Sequence, residues 1–198
     1  MTTKNDTNTI ITNQKTDTAS SHTVTIDAEN DKVEVTLDNV NIKADSGSAL
    51  ASKGDVTLTL KGDNHLTGGN GDTYGGDGIA STGSLTISGG TVTATGGDST
   101  SSVGSGGSGI YSSGIDLSGS LELTAKAGSP NGKALSQNGK ELDLDTINKD
   151  KLDPGAKVTA INANGDSKQV SIPRLWSRKS LLSPRSLLPL LTAALPPR

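Results

Sequence analysis

Three aspartates in glycine-rich segments are the residues best suited to bind a metal ion. Asp72 and Asp77 lie in the segment GGNGDTYGGDG (68–78), and Asp98 directly follows a pair of glycines. Calcium takes roughly six to eight oxygen ligands from carboxylates, carbonyls and water, so aspartates on neighbouring loops can converge on one ion. We therefore predict calcium binding at Asp72, Asp77 and Asp98. The alternative is that all three are solvated loop residues that favour turns.

Two tyrosines are candidates for binding carbohydrate. Tyr74 and Tyr111 are the only aromatic residues before Pro173, and about one repeat of the chain separates them. An aromatic face stacks on a pyranose ring, while Asn, Asp or Lys side chains bind the sugar hydroxyls. We expect the two tyrosines to occupy comparable loops and to line one face. The alternative is that each ring packs over a corner of the fold.

A pair of carboxylates near the end of the repeat region suggests a different chemistry. Asp143 and Asp145 flank Leu144 on a predicted strand. Carboxylates at this spacing approach the separation of about 5–9.5 Å that glycoside hydrolysis uses. No third functional group accompanies them, so we interpret them as a solvated strand face. His22 and His65 lack a second ligand at metal spacing and are interpreted as surface residues.

Short segments with a period of two occupy most of the chain. They are residues 33–37, 56–60, 85–87, 115–117, 121–123 and 142–144. Alternation sends successive side chains to opposite faces, so each segment buries an aliphatic row and exposes a polar one. No segment shows a helical period over three turns. These segments are therefore predicted to be β-strands.

The predicted strands recur in a fixed context. A small residue followed by an aliphatic one appears at Ala49-Leu50, Gly78-Ile79, Gly109-Ile110 and Ala134-Leu135, at spacings of 29, 31 and 25 residues. Repeats of this length are too small to close a core alone, so they bury their apolar faces by stacking. We predict an all-β fold, a right-handed parallel β-helix (β-solenoid) of about five to six coils spaced by about 4.8 Å. An antiparallel sandwich is the alternative, which the in-phase corners disfavour.

Glycine and asparagine mark the corners of the predicted coils. Eighteen of the 25 glycines lie between Gly62 and Gly119, where they permit tight turns and close backbone approach. Asn39, Asn41 and Asn64 also lie near corners. We expect these asparagines to stack in ladders and to bond the backbone, rather than to recognise sugar hydroxyls.

The composition limits both the core and the partners. The chain has no Phe and only one Trp, so its core must be thin and built from Val, Ile, Leu and Ala. It has no cysteine, which excludes disulfides, thiol catalysis and cysteine-ligated zinc. Residues 1–172 carry 21 acidic residues and 13 lysines, a net charge of −8. Because phosphate neutralisation needs clustered cations, we expect no nucleic-acid partner.

Three segments are predicted along the chain. Residues 1–22 are polar and are expected to be disordered. Residues 23–172 form the β-helix, and residues 173–198 form a Pro/Leu-rich tail that we interpret as irregular and non-native, or alternatively as a membrane-surface segment. Proline interrupts the tail, which excludes a membrane span of roughly 20 apolar residues. No N-terminal signal peptide is recognisable, so we expect the chain to be a fragment.

A resemblance to a known family rests on three segments of the repeat region. They are KVEVTLDNVNIKADSGSALASKGDVTLTLKGDNHLTGG (32–69), DGIASTGSLTISGGTVTATGGD (77–98) and SGIYSSGIDLSGSLELTA (108–125). They resemble bacterial proteins described as carbohydrate-binding domain-containing, which are parallel β-helices similar to pectate lyases. The resemblance covers about residues 23–165. It implies a secreted or cell-surface protein that binds acidic or neutral polysaccharide, with calcium as a structural or bridging ion.

The sequence thus leads to one expected function and two alternatives. We expect a monomeric, non-catalytic polysaccharide-binding module, assisted by calcium, that has no nucleic-acid partner and no transmembrane span. The first alternative is a pectate-type polysaccharide lyase, which needs a cationic base; the region before Pro173 has no arginine. The second is a structural surface adhesin or spacer whose partner is a protein.

Overall fold

The computed structural model describes residues 9–13, 15 and 17–174, and β-strands make up most of this part of the chain. The strands are β1 (Thr9–Thr12), β2 (Val24–Asp38), β3 (Asn41–Lys43), β4 (Leu50–Lys61), β5 (Asp63–Thr67), β6 (Ile79–Ser81), β7 (Ser84–Ser88), β8 (Thr91–Thr95), β9 (Ile110–Ser112), β10 (Gly114–Ser118), β11 (Glu122–Lys126), β12 (Leu135–Gln137), β13 (Lys140–Glu141), β14 (Lys157–Ile161) and β15 (Ser167–Ser171). One 3-10 turn spans Leu144–Thr146.

The strands form two sheets that the chain visits in turn. In the first sheet the order is β1-β2-β4-β6-β9-β12-β13, with β7 pairing β4 and β10 pairing β7. In the second sheet the order is β15-β14-β11-β8-β5-β3. Apart from the two terminal pairs β12–β13 and β14–β15, neighbouring strands are parallel. The fold is a parallel β-solenoid of about five coils, which confirms the prediction and excludes the antiparallel sandwich.

The core consists of aliphatic columns that run along the stack. The recurring small-aliphatic positions lie in register, so that their aliphatic residues pack directly on one another. Such columns include Val24, Leu50, Ile79, Ile110 and Leu135; Val33, Val56, Leu85 and Ile115; Val35, Leu58, Ile87 and Leu117; and Ile42, Leu66, Ala94, Ala125 and Ala160. Burial of each Leu or Ile contributes about 1.5–3 kcal/mol, so branched aliphatics stabilise the stack without aromatic rings.

Asn64 stands inside the core of the second sheet. Its side chain is 0% exposed, and its Oδ1 accepts the Val40 N–H at 2.9 Å. Its Nδ2 lies 3.2 Å from the carbonyl oxygens of Lys61 and Thr91. The predicted bonding to the backbone is confirmed for Asn64 and for Asn39, whose Oδ1 accepts the Asp63 N–H at 3.1 Å. The predicted ladder is not formed, because the residue that aligns with Asn64 in the next coil is Val92.

Glycines close the third side of the coils by direct backbone contact. A chain of N–H to carbonyl hydrogen bonds of 2.7–2.9 Å links Gly47, Gly69, Gly76, Gly97, Gly107 and Gly128 in that order. We call this set the glycine column. A β-carbon on Gly97 would overlap the Gly69 carbonyl oxygen, and one on Gly107 would overlap that of Gly76. The close approach therefore requires glycine at these positions.

The N-terminal boundary differs from the prediction. Thr9–Thr12, expected to be disordered, form β1 and pair in register with residues 35–38 of β2. The segment TIIT is rich in β-branched residues, and Ile11 packs against the core, so a short strand gains enough burial to form. Residues 1–8 of the predicted disordered segment and residues 175–198 of the tail lie outside the described residues.

The C-terminal end of the solenoid is closed by antiparallel strands. β12 turns back into β13 through Asn138 and Gly139, whose φ angles of 52° and 77° suit a two-residue hairpin turn. β14 turns back into β15 through residues 162–166. Beyond β13, the predicted strand 142–144 is wrong, because Leu144–Thr146 form the 3-10 turn. We call β13, this turn and β15 the C-terminal cap.

Candidate functional site

Two loops project from the glycine column and stack on each other. The first loop, residues 70–75, leaves and rejoins the column at Gly69 and Gly76, and the second, residues 98–106, does so at Gly97 and Gly107. The two loops run parallel to each other and are joined by backbone hydrogen bonds of 2.9–3.0 Å. They are Gly71 N–H to Asp98 O, Thr100 N–H to Gly71 O, Ser101 N–H to Asp72 O, Ser105 N–H to Thr73 O and Gly75 N–H to Ser105 O. We call this unit the paired loops.

Side chains add further bonds inside the paired loops. The Ser99 Oγ lies 2.9 Å from the Asp72 carbonyl oxygen and 3.0 Å from that of Thr73. The Asn70 Oδ1 accepts the Asp98 N–H at 2.9 Å. The loops are thus ordered by their own polar groups, although they bury few apolar side chains. A loop fixed in this way can present side chains without losing much conformational entropy when a ligand binds.

Tyr74 and Val103 stand out from the paired loops into solvent. Tyr74 is 76% exposed and Val103 is 92% exposed, the highest values among the large hydrophobic residues that the structure describes. An aromatic ring in this position adds little to the stability of the fold. It offers one apolar face to a ligand and a hydroxyl for hydrogen bonding.

The two tyrosines occupy different positions in the repeat. Tyr74 aligns with Ser105 of the next coil, at the local repeat of 31 residues. Tyr111 lies in β9 of the first sheet, aligns with Ala80 and Ser136, and is 39% exposed. The expectation that both lie in comparable loops is therefore wrong, because their separation in sequence exceeds the local repeat. Of the two, the structure places only Tyr74 on the paired loops.

Asp77 and Asp98 each bond the following coil. The Asp77 Oδ1 accepts the Ser108 N–H at 2.6 Å. Burial raises the pKa of Asp77, and the hydrogen bonds from Ser108 partly offset the increase. The Asp98 Oδ1 accepts the Ser129 N–H at 2.8 Å and lies 3.2 Å from its Oγ. Both carboxylates therefore satisfy backbone donors in the next turn of the solenoid.

Asp72 differs from the other two aspartates. It is exposed, and only its backbone carbonyl takes part in the bonds between the loops. Its carboxylate has no hydrogen-bond or ion-pair partner within the described part of the chain. Residues 9–13, 15 and 17–174 contain no group of three or more His, Cys, Asp or Glu side chains that could hold a metal ion. The structure does not gather Asp72, Asp77 and Asp98 into such a group, and calcium binding stays a prediction.

A second set of acidic side chains lies at the C-terminal cap, where Glu141, Asp143 and Lys168 line a hollow of about 490 Å³. The Lys168 Nζ is 3.1 Å from Asp143 Oδ1 and 2.7 Å from Asp145 Oδ2. Asp143 also accepts the Asp145 N–H at 3.0 Å, as the capping residue of the 3-10 turn. The predicted position on a strand face is therefore wrong for this pair. In the same hollow, Glu141 accepts the N–H groups of Ala134 and Leu135, each at 3.1 Å.

The protonation of this group does not favour acid–base catalysis. Hydrogen bonds from the Asp145 N–H and from Lys168 lower the pKa of Asp143. Hydrogen bonds to Asp145 and Asp143 raise the pKa of Lys168. A general acid at neutral pH needs a raised carboxyl pKa, and a lysine base needs a lowered one. Both shifts run in the opposite direction.

Some features of the site were missed in the sequence. The pairing of the loops, the exposed Val103 and the role of Ser99 were not predicted. A signal for the loops exists, because Gly-Gly pairs at 68–69, 75–76, 96–97 and 106–107 flank both of them. Glycines in pairs permit close backbone packing on either side of a protruding segment.

The chain is thus a parallel β-solenoid that carries two hydrogen-bonded loops with one exposed aromatic residue, Tyr74. Comparison with models of known families finds no match, and neither the curated proteins nor the solved structures give a significant match. Within the described residues, no helix has the length and apolar character needed to cross a membrane.

Proposed function

We propose that this chain is a non-catalytic polysaccharide-binding module and that the paired loops contact the glycan. The observation that carries the proposal is the exposure of Tyr74, 76%, on a loop that backbone hydrogen bonds hold in place. Sugar rings have apolar C–H faces that stack on aromatic side chains. A ring fixed before binding keeps more of the stacking free energy as affinity.

Polar groups that could bind the sugar hydroxyls are exposed on the same two loops as this ring. The Asp72 carboxylate is two residues from Tyr74, and the exposed Thr100 and Ser102 are on the second loop. Binding sites of this kind combine an apolar platform with a few polar groups that set orientation. Tyr111 lies on the first sheet and is not part of this proposed site. Calcium assistance and a secreted or cell-surface location belong to the proposal as well, on the family resemblance.

The non-catalytic part of the proposal is supported by the C-terminal cap. Lys168 lies beside Asp143 and Asp145, the carboxylate pair whose spacing in the sequence suggested glycosidic acid–base chemistry. Their pKa shifts favour the charged forms, which suit an ion-paired structural cluster. A lyase base must instead lose its proton readily at working pH.

Tyr74→Ala tests the proposal in pull-down and affinity measurements on cellulose, chitin and pectin, with and without a chelator. We expect Tyr74→Ala to weaken binding by about tenfold or more, the loss of roughly 1.4 kcal/mol of stacking. Tyr111→Ala is the matched control and should change affinity by less than about threefold, roughly 0.6 kcal/mol.

Three outcomes would contradict the proposal. Equal binding by Tyr74→Ala and the unchanged protein would remove the paired loops as the glycan site. Formation of unsaturated sugar product would show that the chain is a lyase. Absence of binding to every glycan would favour the surface spacer.

A further inference from the structure

The paired loops carry charges of one sign only. Residues 68–78 and 96–109 contain Asp72, Asp77 and Asp98 but no Lys, Arg or His. Lysines of the neighbouring segments lie outside the loops, for example Lys43 in β3 and Lys126 in β11. A ligand at Tyr74 therefore meets carboxylates without a basic side chain on the same loops.

The state of these carboxylates decides what they can bind. Asp72 has no side-chain partner within the described part of the chain, and Asp98 uses its Oδ1 for Ser129. An unpartnered carboxylate oxygen accepts hydrogen bonds and cannot donate them. A sugar hydroxyl supplies the donor that it needs. A uronate carboxylate supplies another acceptor of the same charge.

We propose that the paired loops, when they hold no calcium, select glycans without negative charge and reject those that contain uronates. The inference rests on the proposed function and names the ligand class of the same site. It narrows the family expectation, under which acidic and neutral polysaccharides are both ligands. A like charge brought within about 4 Å of Asp72 lowers affinity by about fivefold even at the dielectric constant of water, and by more where the ligand excludes water.

Matched ligands separate the charge from the sugar. Homogalacturonan is compared in its methyl-esterified and de-esterified forms, and cellulose in its native and C6-carboxylated forms, all in the presence of a chelator. We expect Tyr74-dependent binding to at least one uncharged form. The carboxylated counterpart of that ligand should bind at least about tenfold more weakly, and the difference should shrink at high salt.

A double variant tests which charges are responsible. Asp72→Asn with Asp98→Asn removes two charges and leaves an amide oxygen that can accept the Ser129 N–H. It should reduce the preference for the uncharged ligand by about fivefold or more. Glu122→Gln, on the exposed face of the second sheet, is the control and should leave the preference unchanged.

The outcomes distinguish failure of the selectivity from failure of the proposed polysaccharide-binding function. Tyr74-dependent binding that is equal or tighter for the carboxylated ligand overturns the selectivity alone. A preference that survives in the double variant also overturns it. Loss of all binding, or binding that does not depend on Tyr74, overturns the proposed function and the selectivity together.

Discussion

The paired loops and the C-terminal cap both present acidic side chains, but the partners of these side chains differ. In the cap, Asp143 and Asp145 bind Lys168, and Glu141 accepts two backbone N–H groups. In the paired loops, backbone hydrogen bonds hold the two segments together. The Asp72 carboxylate has no partner among the described residues. In a solenoid, therefore, binding residues are best sought where side chains are not needed to join or end the coils.

The largest expected effect concerns the glycine column that supports the loops. Gly97→Ala places a β-carbon against the Gly69 carbonyl oxygen, and the backbone must move to admit it. We expect a loss of about 2–3 kcal/mol in the free energy of unfolding, measured by urea denaturation. Gly114→Ala in β10 is the control, since its new methyl group would meet only Ser84 at 3.4 Å. Equal stability of the two variants would show that the close backbone contact at Gly97 does not stabilise the fold.

A second, smaller effect is the difference in stability between removing an acidic side chain of the C-terminal cap and removing one of the paired loops. Glu141→Ala removes the acceptor of the Ala134 and Leu135 N–H groups and should cost about 2 kcal/mol of unfolding free energy. Asp72→Ala should change it by less than about 0.5 kcal/mol, because no bond of its side chain is lost. Thermal unfolding of the two variants measures both values. A large loss in Asp72→Ala would mean that the Asp72 carboxylate, like that of Asp98, has a structural role.

The smallest effect is a pH dependence of opposite sign at two aspartates, Asp77 beside the first of the paired loops and Asp143 beside the C-terminal cap. The pKa of Asp77 is raised above 3.8 by burial, so its ionised form weakens the fold, and stability should rise as pH falls through this pKa. The pKa of Asp143 is lowered below 3.8, so its contribution is present above 3.8 and is lost as pH falls through the lowered value. The free energy of unfolding, measured as a function of pH, should lose the Asp77 contribution in Asp77→Asn and the Asp143 contribution in Asp143→Asn. Slopes of the same sign would refute the contrast.

The coils could be predicted from sequence because their signals are local. Alternation fixes which side chains of residues 56–60 point inward, and the recurrence of pairs such as Gly78-Ile79 fixes the stacking register. β1 escaped prediction because its four residues stand in a polar segment and gain burial only by pairing with β2. The 3-10 turn at Leu144–Thr146 escaped because alternation over three residues does not exclude a capped turn.

The sequence could predict which residues belong to the candidate site, but not how they are arranged or which partners they bind. The sequence singled out Asp72 and Tyr74, and both lie in the paired loops. It could not tell that Asp77 and Asp98 bond the next coil, because the donors Ser108 and Ser129 are each 31 residues away. Roles that depend on such distant partners are set by the stacking of coils with unequal loops, which no short sequence pattern records.

The glycine column also separates loop length from coil geometry. The loops that leave the column and return to it within one coil have six residues (70–75) and nine residues (98–106). A third loop has three residues (129–131) and ends at Gly132, whose N–H donates to the Gly128 carbonyl at 3.0 Å. The coils remain stacked in spite of this threefold variation in loop length. The glycine at the end of each loop again donates its N–H to the carbonyl of an earlier glycine. New segments inserted at a loop tip should therefore leave the scaffold intact, which makes this edge a natural place for diversification and for grafting foreign recognition sequences.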